Sequence, residues 1–172
     1  MEIIDYKFKK IDNQKVIEVI GAKAKSSDIK IKLWEANAQV FCQVGPGNIV
    51  KFCKLLNEDK ELGFEYIRAI TGIDHIEYME VVYSLYSFVS NWSINIKVRL
   101  DAENPEVETI TPIYKGADWF EREIWEMFGI NIKGHPDLRP LLLVGDEDFH
   151  PLKKSFEIKW EKRQYDPPKF FK

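Results

Sequence analysis

Cysteine is scarce in this chain. Its 172 residues include two, Cys42 and Cys53, separated by more than any CxxC spacing. Two thiols are too few for an iron–sulfur cluster or a four-cysteine zinc site. The N-terminus, MEIIDYKFKK, lacks the apolar core of a secretory signal, so a cytosolic setting with two buried thiols is expected rather than a disulfide. Long hydrophobic runs are missing too; none approaches the ~20 apolar residues of a membrane span. Glycine and proline together make only 17 residues, which excludes collagen-like and low-complexity chains. Arginine is rare, 5 against 20 lysines, and the net charge of −3 makes nucleic acid a poor partner.

What is present describes a globular chain. A hydrophobic fraction of 45% excludes intrinsic disorder, and the length suits one domain with its own core. The abundance of Lys, Glu and Ile with few Gln is thermophile-like. Charge is unevenly spread. Residues 1–100 are net +1, residues 101–150 net −8 and residues 151–172 net +4. The basic tail is expected to be solvated or to pair with an acidic neighbour, with an anionic lipid surface as the rival reading.

Periodicity gives the outline of the fold. Residues 38–44 (AQVFCQV) read as a strand. Ile49, Phe52, Cys53 and Leu56 recur at helical spacing, so 48–59 reads as an amphipathic helix with Asn48 as its cap. Residues 64–74 are taken as a strand. Residues 81–89 (VVYSLYSFV) suit a central strand, and 92–100 alternate strictly, which predicts a hairpin over 81–100. The expected class is α+β, a small mixed but mainly antiparallel sheet with helices packed on one face. An α+β domain is expected over 1–130, and an extended partner-binding arm and tail over 131–172.

Residues 117–156 carry the most information. Asp118 and Glu121 have capping-box spacing, and Gly129 suits the left-handed position after the last turn, so 119–128 is a helix. Phe120, Ile124, Met127 and Phe128 form its apolar stripe. Arg122 falls opposite that stripe, and the i, i+4 spacing to Glu126 allows a pair worth only a few tenths of a kcal/mol if solvated. The acids of this helix could suggest acid–base chemistry, but no Ser, His or Lys shares the helix. Beyond it, His135-Pro136, Pro140 and His150-Pro151 punctuate a stretch rich in Leu, Phe, Trp and Tyr without regular periodicity. Such a segment does not cover its own apolar surface and is expected to wrap another protein. The sharper rival is a stand-alone metal-dependent enzyme in which His135 and His150 converge with Asp137 and the acids at 146–148. His75 reads as a lone surface or interface residue.

The string Glu121-Arg122-Glu123-Ile124-Trp125-Glu126-Met127-Phe128-Gly129-Ile130, followed by Gly134-His135-Pro136-Asp137-Leu138-Arg139, resembles the signature of the thirty-kilodalton subunit family of complex I. The family pattern is Glu-Arg-Glu, two residues, an acid, two apolar residues, six residues, His or Lys, three residues, then Lys, Arg or Pro. Glu126, Met127-Phe128, His135 and Arg139 meet its later positions. Residues 62–74, 80–85 and 150–156 are also similar to the family, so the resemblance runs from about 45 to 156.

That resemblance implies a subunit without a cofactor of its own. It would sit in the peripheral arm of a membrane-bound, ion-translocating oxidoreductase, on the cytoplasmic face. Its neighbours would be the large catalytic-type subunit and the small iron–sulfur subunit, which hold the iron–sulfur clusters and, in some complexes, a nickel–iron centre. NADH dehydrogenases, deazaflavin-type dehydrogenases and group 4 membrane-bound nickel–iron hydrogenases with their sulfur-reducing relatives all use it. The composition tilts the expectation to the hydrogenase group. By resemblance, Glu121, Arg122, Glu123, His135, Pro136, Asp137 and Arg139 belong to the docking surface and its bracing.

Overall fold

The computed structural model describes residues 12–143 and 149–157. Its first elements are a helix α1 (Asn13–Ser26), a hairpin of β1 (Ile31–Ala36) and β2 (Gln39–Val44), a 3-10 turn at Pro46–Asn48 and a helix α2 (Ile49–Glu58). Strands β3 (Tyr66–Asp74), β4 (Tyr78–Ser87) and β5 (Trp92–Asp101) follow, then β6 (Glu106–Glu108), helix α3 (Ala117–Phe128) and β7 (Asn131–Lys133). The α+β class is as expected, and so are the strands at 38–44, 64–74 and 81–100. The boundary expected at residue 130 falls just ahead of β7, which pairs with β6.

The main sheet has the order β1-β2-β5-β4-β3. All its neighbours are antiparallel except β2 and β5, which run parallel because α2 and two strands intervene between them. One face carries Val40, Cys42, Val81, Tyr83, Leu85, Ile94, Ile96 and Val98, all buried against Val16 and Ile20 of α1, Phe52 and Leu56 of α2 and Ile124 of α3. The alternation in 92–100 is this one-sided burial in sequence form.

Helix α1 and strand β1 lay outside the expectations from sequence. Their signal was present. Asp12 accepts the amides of Gln14 and Lys15, and Val16, Ile20 and Ala24 recur at i, i+4 as the buried stripe. Asn48 sits before α2 as expected but makes no side-chain cap bond. Helix α3 crosses β3 closely because Gly72 has no side chain; a Cβ there would lie 2.7 Å from the Phe128 ring.

Candidate functional site

Three charged residues on α3 are buried: Glu121 is 1% exposed, Arg122 7% and Glu126 4%. An ordinary amphipathic helix keeps such groups in water. Each of these is spent on chain outside the helix, and this corrects two expectations from the sequence. The helix starts at Ala117 with Gly116 as N-cap and no side-chain cap bond, which puts Asp118 inside the first turn, so there is no capping box. Arg122 and Glu126 are not a solvated pair, because residues 139–143 lie over that side of the helix.

At the N-terminal end, Glu121 accepts the Thr109 hydroxyl at 2.5 Å and the Ile110 amide at 2.8 Å. Burial pushes its carboxyl up to about 7, against the pull of those two donors and with some help from the Asp118 charge. The His135 side chain is wholly buried beside it. Its Nε2 lies 3.3 Å from the Asp118 carbonyl, 3.6 Å from Asp118 Oδ1 and 3.9 Å from Glu121 Oε2. Its Nδ1 accepts the Asp137 amide at 3.1 Å, so the proton of the neutral ring belongs on Nε2. His135 thus closes the turn where the chain leaves β7.

At the C-terminal end, Glu126 accepts three successive amides: Leu141 at 3.1 Å, Leu142 at 2.8 Å and Leu143 at 2.8 Å. Arg122 completes the clamp, donating from Nε to the Arg139 carbonyl at 3.0 Å and from Nη2 to the Pro140 carbonyl at 2.9 Å. Burial opposes the Glu126 charge, but the three amides and the nearby Arg122 outweigh it and hold the carboxyl below its usual value.

The second His-Pro then docks on the last turn. His150 Nδ1 donates to the Glu126 carbonyl at 2.8 Å, and the Leu152 amide to that of Met127 at 3.0 Å, so the open end of the helix is capped by chain 24 or more residues on. Gly129 makes room for this. It has φ +68°, as its place after the helix led one to expect, and a Cβ there would meet the His150 ring at 2.5 Å. Further on, the Lys154 amide reaches Asp74 Oδ2 at 2.9 Å.

The two histidines therefore do not converge, which corrects the metal reading. His135 sits on the carbonyl of Asp118 and His150 on that of Glu126, eight residues and about 12 Å apart along the helix. Among the described residues no three His, Cys, Asp or Glu are placed to hold a metal ion, and residues 146–148 lie outside them. His75 is half-buried rather than a free surface group; it stacks on Tyr78 with ring centroids 4.3 Å apart.

The seven residues singled out in the sequence fall into two sets. Glu121, Arg122 and His135 point inward and brace the segment, with Glu126 as a bracing residue that sequence reasoning missed. Pro136, Asp137 and Arg139 are exposed, Glu123 partly so, and Arg139 Nε pairs with Asp137 at 2.9 Å. The clamp binds backbone and leaves one of its leucine side chains outside: Leu142 is 59% exposed while Leu141 and Leu143 are half-buried, and Leu152 on the helix end is 52% exposed. The segment is folded onto its own domain at both ends of α3, more closely than periodicity suggested, yet it carries apolar side chains in water. No helix among the described residues is long and apolar enough to cross a membrane.

Residues 42–162 match the family model described as respiratory-chain NADH dehydrogenase, 30 Kd subunit. The chain is 39% identical over 127 residues to the C-2 subunit of NADH-quinone oxidoreductase from Rhizobium meliloti (strain 1021), covering 72% of this chain and 69% of that one. It is 34% identical over 151 residues to the C-type subunit of NADH-quinone oxidoreductase from Roseiflexus sp. (strain RS-1), covering 86% of each. Two solved structures share the fold. A chain of the membrane-bound sulfane sulfur reductase, an archaeal respiratory membrane complex, superposes with TM-score 0.69 over 84% of this chain and 86% of its own at 21% identity. The trypsin-resistant fragment of Nqo5 does so with TM-score 0.58 over 71% of this chain and 98% of its own at 24% identity. With more than half its length matched by the family model and relatives this similar, the chain belongs to the 30-kilodalton subunit family of respiratory-chain NADH dehydrogenase.

Proposed function

We propose that this chain is a docking subunit, without a cofactor of its own, in the peripheral arm of a membrane-bound, ion-translocating complex I-like oxidoreductase. It seats against the large catalytic-type subunit and the small iron–sulfur subunit on the cytoplasmic face of the membrane. Membership of the family makes it a subunit of a complex I-like assembly. The observation that carries the docking role is the clamp. Arg122 and Glu126 are buried to hold the backbone of residues 139–143 while Leu142 stays in water. Burying two charges costs several kcal/mol unless their hydrogen bonds are complete. A domain that needed only its own stability would bury Leu142 instead. Holding it out in one fixed conformation lowers the ordering cost when a partner covers it.

Among the complexes that use this subunit, we favour the hydrogenase and sulfur-reducing group on the Lys-, Glu- and Ile-rich composition. The NADH-quinone names of its sequence relatives are the opposing indication. Affinity isolation from native membranes, with each co-purifying subunit identified by mass, tests both points. Large and small redox subunits are expected to come with the chain, and a nickel–iron large subunit would fix the type. A Leu142→Asp variant should keep the fold and lose about tenfold or more in recovered partners. Recovery of the wild-type chain alone at every salt concentration overturns the reading.

A further inference from the structure

We propose that the helix-free face of the main sheet is a second docking surface, which takes a carboxylate-rich segment of a neighbouring subunit. This rests on the docking reading above, and it concerns a different face of the molecule from the α3 clamp.

The strand register shows what that face carries. Lys32 of β1 pairs with Gln43 of β2, Gln43 with Lys97 of β5, and Lys97 with Val82 of β4, so these four stand in one row across the sheet. The adjacent row holds Trp34 and Phe41, which stack with centroids 5.7 Å apart, and on the other side Arg99 pairs with Glu80. All three helices lie on the opposite face with the core.

A wet sheet face is common in antiparallel sheets and by itself signals nothing. Two features set this one apart. The first is its sign. The whole chain is net −3, yet these rows and the next, in which Tyr78 pairs with Asp101, hold three cations, Lys32, Lys97 and Arg99, against two carboxylates, Glu80 and Asp101. Both carboxylates are already engaged, Glu80 with Lys97 Nζ at 2.8 Å and His75 Nε2 at 3.7 Å, and Asp101 Oδ1 with the amides of Glu103 and Asn104 at 2.8 and 2.9 Å. Lys32 and Arg99 are exposed and enter no ion pair among the described residues. The second is preorganisation. Arg99 lies 3.8 Å from the centroid of the Tyr78 ring, which stacks on His75, and Lys97 lies 6.0 Å from that of Phe41. These contacts hold the cations over flat aromatic surface, so less side-chain freedom is lost when a carboxylate arrives. Cations with aromatics also suit a nucleic acid, but the chain's net negative charge repels a polyanion at longer range. A protein segment offers separate carboxylates and apolar atoms for the rings.

The test uses the assembled complex and the free chain side by side. Lysine acetylation read by mass should slow about tenfold or more at Lys32 in the complex, and a zero-length amine–carboxyl cross-linker should join Lys32 to an Asp or Glu of another subunit. The double variant Lys32→Glu/Arg99→Glu should lower the yield of complex about tenfold, while Lys32→Arg/Arg99→Lys should keep it. A complex recovered intact with Lys32 as reactive as in the free chain overturns this proposal and leaves the α3 docking reading standing. A wild-type chain recovered with no partner overturns that reading first and this one with it. Protection of Lys32 that nuclease abolishes, or a cross-link only to a second copy of this chain, also overturns it.

Discussion

The two ends of α3 hold different stretches of chain by opposite electrostatics: residues 109 and 110 at one end and 139–143 at the other. At the N-terminal end Glu121 is buried with two hydrogen-bond donors, and desolvation wins: its carboxyl is pushed up to about 7. At the C-terminal end Glu126 is buried with three amides and a nearby guanidinium, and the donors win: its carboxyl stays below its usual value. Glu121 also lies deeper in the fold than Glu126, so depth of burial and the count and charge of the donors together decide whether each carboxylate stays charged. The N-terminal end forms an internal brace, and the C-terminal end displays a loop.

The largest break in that comparison is Glu126→Ala. It orphans three amides and leaves Arg122 without the nearby charge that balances it, so a loss of about 3 kcal/mol is expected in urea unfolding. Hydrogen exchange at the amides of Leu141, Leu142 and Leu143 should rise even where the rest of the domain stays protected. Unchanged exchange at those three amides would mean that the loop is held by something other than the clamp.

Gly129→Ala comes next. It forces a side chain into a left-handed position and into the ring of His150 at the same time. About 2 kcal/mol of destabilisation is expected, the upper part of the range for the backbone effect alone. Loss of the His150 cap on α3, seen as an NMR shift of the His150 ring, should accompany it. A loss of stability with an unmoved His150 would place the whole cost in the backbone.

The pH dependence sharpens the contrast. The folded site binds the Glu121 proton more tightly than the unfolded chain does, so its contribution is present at low pH and declines as pH rises from 4.5 to about 7. Glu126 works in the other direction: its contribution is present above 4.5 and is lost as pH falls through its lowered value. The two windows do not overlap. Glu121→Gln should therefore flatten the stability profile between 4.5 and 7 by about 1–2 kcal/mol and leave the acid limb unchanged. A variant profile parallel to wild type across that window would show that Glu121 titrates normally.

Much of this arrangement was legible in the sequence, and the failures have one cause. The strands at 38–44 and 92–100 announced themselves because a half-buried sheet imposes period two, and Gly129 because few other residues tolerate its backbone. The Glu-Arg-Glu string was visible as a pattern, but its geometry was not. Helical periodicity placed Arg122 opposite the apolar stripe and so in water. It has no means of showing that residues 139 and 140 return to cover that side. The capping-box reading failed for the same reason. Glu121 has two better donors at residues 109 and 110, which reach it through the pairing of β6 with β7, and no local spacing encodes that pairing.

Arg139→Ala is the smallest expected change in stability and the sharpest test of the division between backbone and side chain. The Arg139 carbonyl accepts from Arg122 whatever side chain the residue carries, so the substitution leaves the clamp intact. What it removes is a side chain 70% exposed, paired among the described residues with an Asp137 side chain itself 53% exposed. An ion pair of that kind contributes ~0–1 kcal/mol, and the unfolding midpoint should move by less than ~0.5 kcal/mol. Recovery of partner subunits should fall well beyond that, because truncating an arginine at a protein interface costs more than ~1 kcal/mol. If stability and partner recovery fall together, the side chain braces the domain as Arg122 does, and the line between the residues that hold this loop and those that it displays has to be drawn one position further along.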